Sequence, residues 1–243
     1  MKCLILAAGY ATRLSPLTEN YPKPLLKVGD KAILDWLIDD LKVAGGVDEF
    51  VVVTNHKFAG IFDSWAASRP ESIRVVDDGT STNETRLGAV IDMKFAIDKC
   101  GIDDDLIVMA GDNLLSFSLG SFVDYFRQKG ASCVMRYYEP DASRLHKRGV
   151  LDVDASGRIL SMEEKPAVPR SHWCCPPFYI YSRQDLRLLD DAIASGCGVD
   201  APGSLVSWLC SRVPMYAMQM PGERYDIGDL KSYEEVRGRF EGR

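Results

Sequence analysis

Short apolar runs alternate with amphipathic stretches through the first half of the chain. Cys3-Leu4-Ile5-Leu6 predicts a strand over residues 2–7. Ile33, Leu34, Leu37, Ile38 and Leu41 recur at helical spacing over 32–43. Phe50-Val51-Val52-Val53 predicts a second strand, ending at Thr54-Asn55, and Phe58, Ile61, Phe62 and Trp65 a second helix. Ile73-Arg74-Val75-Val76 reads as a short strand, and Leu87, Val90, Ile91, Phe95 and Ile97 as a further helix. Leu106–Ala110 is apolar nearly throughout, which suits a strand at the centre of a parallel sheet with both faces buried. This β-α-β alternation predicts an α/β fold with a doubly wound, mainly parallel, Rossmann-like sheet.

The pattern changes after about residue 115. Strands are expected over 131–138, 149–154, 158–164, 176–182 and 213–220, with Asp154-Ala155-Ser156-Gly157 as a turn. Few helical patterns interrupt them, so a mixed or antiparallel extension follows the parallel half. A last helix is expected near 230–239, with Asp229 as its cap. No linker, repeat or low-complexity segment intervenes. Residues 1–243 therefore read as one domain with two halves, about 1–115 and about 116–243.

Composition narrows the class. Hydrophobic residues are 46% and charged residues 26%, the range of soluble globular proteins. No apolar run reaches the ~18 residues of a membrane span. Met1-Lys2 leads into a short apolar stretch and then Gly9 and Arg13, which is not a secretory signal. The seven cysteines are odd in number and contain no C-x-x-C pair, so reduced thiols in a cytoplasm are expected. A net charge of −6 argues against extended nucleic acid as a partner, and no membrane is expected either. A small polyanion can still bind where a few cations converge in one cleft. The oligomeric state is not fixed by the sequence, and a homo-oligomer is compatible with it.

Such a cleft has candidates. The first strand runs into Ala7-Ala8-Gly9-Tyr10-Ala11-Thr12-Arg13-Leu14, followed by Pro22-Lys23-Pro24. Small residues let backbone N–H groups approach a phosphate, and Arg13 and Lys23 supply charge. The loop fits neither G-x-x-x-x-G-K-[ST] nor G-x-G-x-x-G. Gly9, Thr54-Asn55 and Gly111-Asp112 all fall at strand carboxyl ends, where α/β sheets bind ligands. Asp112 is either a turn or cap residue or a carboxylate for a divalent cation. Asp226 has the same two readings, and Asp229 takes the cap role more naturally. Glu163-Glu164-Lys165-Pro166 is either a solvated strand end or a charged part of the site. Asn83 either caps the next helix or reads a base edge with its amide. His56, His146 and His172 are too dispersed for a metal triad.

In order, Leu6–Leu14, Lys23-Pro24, Gly111-Asp112, Glu164-Lys165-Pro166 and Tyr225-Asp226-Ile227-Gly228 resemble the sugar-phosphate nucleotidyltransferases, in particular the small glucose-1-phosphate thymidylyltransferase-like branch. The resemblance implies transfer of a nucleoside monophosphate from a nucleoside triphosphate to a sugar 1-phosphate, most simply dTTP or UTP with glucose 1-phosphate. It implies Arg13 and Lys23 as catalytic cations, with Leu6, Ala7, Ala8, Gly9, Asn83 and Gly88 on the nucleotide. It assigns Gly149, Glu164 and Lys165 to the small phosphorylated acceptor, and Mg²⁺ to Asp112 and Asp226. The first half then serves the nucleotide and the second the acceptor. Alternatives are a cytidylyl- or guanylyltransferase for another phosphorylated or phosphonate acceptor, and a nucleotide-binding module without catalysis. A dehydrogenase rests on fold analogy alone. The chain departs from the family pattern at Ala11, where glycine is common. It departs again at Cys174-Cys175-Pro176-Pro177, where a threonine-glycine pair is common, and at Asp200-Ala201-Pro202-Gly203.

Overall fold

The computed structural model describes residues 1–240, so the expected end of the second half, residues 241–243, lies outside the described residues. In chain order the strands are β1 (Lys2–Leu6), β2 (Lys27–Val28), β3 (Lys31–Ala32), β4 (Glu49–Thr54), β5 (Ile73–Asp77), β6 (Leu106–Ala110) and β7 (Asn113–Leu115). The second half adds β8 (Cys133–Tyr138), β9 (Gly149–Val153), β10 (Ile159–Glu164), β11 (Trp173–Cys175), β12 (Phe178–Tyr181), β13 (Tyr216–Gln219) and β14 (Arg224–Asp226). Ten of these form one sheet in the order β10-β9-β11-β8-β12-β6-β1-β4-β5, with β13 beside β8. The first half pairs in parallel, β6 with β1, β1 with β4 and β4 with β5. The second half is largely antiparallel, with β13 parallel to β8. This is the Rossmann-like α/β fold with an antiparallel extension that the apolar pattern predicts.

Strand periodicity divides the core. Cys3 and Ile5 of β1 face one side of the sheet, packed with Phe50, Ile107 and the apolar stripes of helices α1 (Ile33–Ala44), α2 (Ala59–Ala67) and α4 (Gly120–Lys129). Leu4 faces the other side, with Val51, Val108 and helix α3 (Ala89–Cys100), joined by the helices over 189–194 and 203–209. Each fully buried Leu, Ile or Phe in these layers contributes ~1.5–3 kcal/mol of transfer energy. The helices stop where the sequence supplies glycine. Gly101 and Gly130 end α3 and α4 in the left-handed region, at φ 63° and 60°.

Several elements differ from expectation. β6 is buried on both faces, but it is parallel to β1 on one edge and antiparallel to β12 on the other. It is the seam between the two halves rather than the middle of a parallel sheet. Pro176-Pro177 does not start a strand at 176. It interrupts one, leaving β11 on the β9 side and β12 against β6. Helix α4 and strands β7, β11 and β14 are not anticipated by the pattern, the strands being only three residues each.

A smaller cluster closes the structure away from the main sheet. Leu14, Leu26, Val28, Ile33, Leu114 and Ile227 pack with Tyr233 and Val236 of the helix Leu230–Arg239. The Tyr233 hydroxyl donates to the Lys27 carbonyl at 2.7 Å. Asp229 caps this helix as expected, its carboxylate accepting the Ser232 N–H at 2.8 Å. No helix among the described residues is long and apolar enough to cross a membrane. All seven cysteines are free.

Candidate functional site

The carboxyl ends of β1 and β6 open onto a cavity of about 250 Å³, bordered by Leu6, Ala7, Gly9, Arg13, Lys23 and Asp112. The loop after β1 is pinned from below by β4. The Ala7 N–H donates to Val53 O at 2.9 Å, and buried Asn55 donates from Nδ2 to Ala8 O at 3.0 Å. The Ala8 carbonyl is therefore turned to Asn55, and Ala8 is buried. Ala11 turns the loop with φ 45°, a left-handed conformation unusual for a residue with a Cβ. At Gly9 neither a positive φ nor packing demands glycine, and an added Cβ would meet nothing within 4 Å. Lys23 is buried in a short 3₁₀ turn, Lys23–Leu25, and its Nζ lies 2.6 Å from Asp112 Oδ2. Gly111 allows this approach, since a Cβ there would stand 3.0 Å from Ile5 and 3.3 Å from Pro24.

Asp226 comes to the same place from the far end of the chain. β14 runs antiparallel to β7 and pairs Asp226 with Asn113, the residue after Asp112. Asp226 Oδ2 lies 3.3 Å from an Arg148 guanidinium nitrogen and 3.5 Å from one of Arg224. The same Arg224 nitrogen donates to Asn113 Oδ1 at 2.6 Å. Burial opposes ionisation of Asp226, but Arg224, Lys23 and Arg148 outweigh it and hold the carboxyl below its usual range. The described residues contain no cluster of three or more His, Cys, Asp or Glu able to hold a metal. Two carboxylates alone fit a hard divalent cation whose remaining ligands are water or phosphate oxygens.

On the second half, β9 and β10 pair Gly149 with Glu164. Glu164 is not the solvated strand end that was one reading of the sequence. Its Oε2 is buried without a hydrogen-bond partner, and burial pushes its carboxyl up against the opposing charge of Lys165. Two glycines make room for it. A Cβ at Gly149 would lie 2.9 Å from Glu164 Oε2, and one at Gly203 2.9 Å from Oε1. Lys165 adopts φ 49°, and its exposed ammonium lies 3.9 Å from Asp200. β11 sets Cys175 beside Gly149, so the Pro176-Pro177 break lies next to this wall.

Asn83 and Gly88 border a separate cavity of about 270 Å³, together with Arg86, Leu87, Val199 and Asp200. Asn83 does not cap α3, whose cap is Gly88. It starts a 3₁₀ turn and accepts from Arg86 at 3.2 Å. Gly88 has φ 94°, and a Cβ there would meet Val199 O at 2.6 Å, so packing alone requires a glycine. Arg86 and Lys165 both pair with Asp200, which links this loop to the Glu164 wall. Arg13, Lys23 and Asp112 are thus brought together, with Asp226 beside them, and Glu164, Lys165 and Gly149 form a second group. The motif reading missed Arg148, Arg224 and Asp200. Arg224 is two residues from Asp226 and Arg148 is one from Gly149, and that adjacency was their only signal.

A family model described as nucleotidyl transferase matches residues 2–241. A UTP–glucose-1-phosphate uridylyltransferase from Synechocystis is 28% identical over 249 residues, covering 98% of this chain and 63% of that protein. The UTP–glucose-1-phosphate uridylyltransferase AglF of Haloferax volcanii is 28% identical over 250 residues, covering 99% of this chain and 97% of that protein. The chain thus spans less than two thirds of the first relative and nearly all of the second. Among solved structures, a UDP-glucose pyrophosphorylase complexed with UDP-glucose has a TM-score of 0.82 at 20% identity, over 98% of this chain and 97% of that one. At that identity the likeness is one of fold.

Proposed function

Because this chain belongs to the nucleotidyl transferase family, we propose that it transfers a nucleoside monophosphate from a nucleoside triphosphate to a sugar 1-phosphate and releases pyrophosphate. UTP or dTTP with glucose 1-phosphate is the pair it takes. The observation that carries this reading is the convergence of Arg13, Lys23 and Asp112 on one cavity at the ends of β1 and β6. The names of the Synechocystis and Haloferax relatives support the uridine nucleotide and the glucose phosphate.

The chemistry follows from charge. A phosphate oxygen of the acceptor attacks the α-phosphorus in line. A new P–O bond forms there as the bond to the bridging oxygen of the β-phosphate breaks, and pyrophosphate departs with that electron pair. The nucleophile is already anionic, so the chain need not supply a general base. Arg13 and the N–H groups of the loop 8–11 hold the β- and γ-phosphates, the Ala7 N–H being taken by Val53 O. Gly9 leaves open the space they need. Lys23, anchored by Asp112, offsets charge at the α-phosphate. Asp112 and Asp226 would hold a divalent cation such as Mg²⁺, which supplies further positive charge to the phosphate oxygens when bound. Asn83 and Gly88 flank the base, and Glu164 accepts hydroxyls of the sugar beside Gly149. Lys165 attracts the acceptor from the rim.

The Pro176-Pro177 break beside Gly149 favours a second reading of the acceptor alone. Two backbone donors are missing from that wall, which suits an acceptor other than plain glucose 1-phosphate. Pyrophosphate release, measured for UTP, dTTP, ATP, CTP and GTP against several sugar 1-phosphates and simpler phosphorylated acceptors, tests both. One strongly preferred pair supports the reaction and identifies the acceptor. No release from any pair overturns it in favour of a silent nucleotide-binding module.

A further inference from the structure

The geometry points to Arg148 as the residue that grips the phosphate of the acceptor, held in reserve by Asp226; this rests on the reaction proposed above. Its backbone is fixed at the junction of the two groups of site residues. The Arg148 N–H donates to Leu145 O at 3.0 Å, and its carbonyl accepts the Lys165 N–H at 2.9 Å. The next residue is Gly149, against Glu164. The side chain points the other way, to Asp226.

That contact leaves Arg148 under-used. A guanidinium carries five N–H donors in a planar fork. Here one nitrogen reaches Asp226 at 3.3 Å, and Nε is buried with no partner. An unmet buried donor costs ~1–3 kcal/mol. Arg224 shares the same carboxylate oxygen and is more deeply buried, with a short bond to Asn113. Lys23 is taken by Asp112. Three cations therefore face two carboxylates, in a chain whose net charge is −6. Of the three, Arg148 has the most exposed side chain, at 35% against 9% for each of the others. It is the cation free to change partners.

A phosphate monoester is the anion that fits. Its oxygens take two parallel N–H bonds from a guanidinium, which one Asp226 oxygen shared with Arg224 cannot offer. Lys165, the other cation near Glu164, is more exposed and already faces Asp200. Were Asp226 to hold a cation, Arg148 would lose its partner, with the phosphate as its replacement. Asp226 and the acceptor phosphate thus compete for one guanidinium.

The competition is read without turnover, by calorimetric titration of inorganic phosphate into the metal-free, nucleotide-free protein. Asp226→Asn is expected to tighten phosphate binding about tenfold when Arg148 is present and less than about threefold in the Arg148→Ala background. Equal gains in both backgrounds, or no gain in either, overturn the proposal. In the pyrophosphate assay, Arg148→Ala is expected to raise the acceptor KM about 30-fold, with the triphosphate KM changed less than about threefold and Arg148→Lys in between. A rise confined to the triphosphate KM overturns it too. If the wild type releases no pyrophosphate from any pair, the proposed reaction fails, and the phosphate cycle still decides the competition.

Discussion

Asp92 is a buried acid that the proposed chemistry does not use, and its replacement by asparagine makes a quantitative prediction. It lies in the first turns of α3, 6% exposed, against Asp78, which is 9% exposed. One oxygen of each has no hydrogen-bond partner. Two ionised carboxylates are both acceptors and cannot satisfy one another, whereas a proton between them can. Burial first, and then the charge and close approach of Asp78, push Asp92 up from 3.8 to about 7. The raised value means that the neutral acid is favoured in the folded state. The stability it contributes is whole below about pH 4 and is lost as pH rises through about 7. That window is roughly three pH units, at ~1.4 kcal/mol per unit, so the limit is ~4 kcal/mol. Asp92→Asn replaces the protonated acid by a permanent donor of similar size that carries no charge at any pH. Urea unfolding at intervals between pH 4.5 and 8.5 is the assay. The variant's advantage over the wild type should grow by ~2–4 kcal/mol from the acid end to the alkaline end. A difference that does not change with pH would show that Asp92 ionises normally and refute the reasoning.

Other substitutions probe the loop and the walls. Ala11→Gly removes a left-handed strain of ~1–2 kcal/mol and costs ~0.4–1 kcal/mol in the unfolded chain, so thermal unfolding should show it no less stable than the wild type, while Ala11→Val should lower the midpoint. Gly149→Ala places a Cβ 2.6 Å from Met162 and 2.9 Å from Glu164, and should cut the rate of pyrophosphate release at fixed acceptor by at least about tenfold with the triphosphate KM little changed. Lys23→Ala should lower kcat by about 10²–10³, the scale of one lost charge-stabilising donor, in a fold that circular dichroism shows intact. Replacing Pro176-Pro177 by Thr-Gly should change acceptor preference at constant triphosphate KM, and a loss of stability alone would leave the prolines a structural role.

Much of this was legible in residue order because it depends on local chemistry. The apolar runs of β1, β4 and β6 fix buried strands, and the small residues after β1 fix a loop at a strand end. Asp229 could be separated from Asp226 because a cap is a matter of a few residues. What escaped depends on distance along the chain. Nothing local tells that β14 returns to pair with β7, so the contacts of Asp226 with Arg148 and with the strand bearing Asn113 were invisible. A cap was one of the two readings of Asn83, because a helix follows it. The chain needs Gly88 at the true helix start, where the backbone of Val199 comes too close for a Cβ. The burial of Glu164 was hidden for a similar reason, since the glycines that admit it lie at 149 and 203.

The small cluster that joins Leu14 to Ile227 and Tyr233 also sets an order of events in time. Because a domain folds as a unit, the cleft is incomplete while residues 226–239 are still to be made. Leu14, just past Arg13, and Ile227, just past Asp226, share one apolar cluster that Tyr233 and Val236 of Leu230–Arg239 complete. Until Ile227 docks there, Asp226 is not held beside the loop that bears Arg13. A nascent chain therefore lacks a complete phosphate site until Leu230–Arg239 can pack.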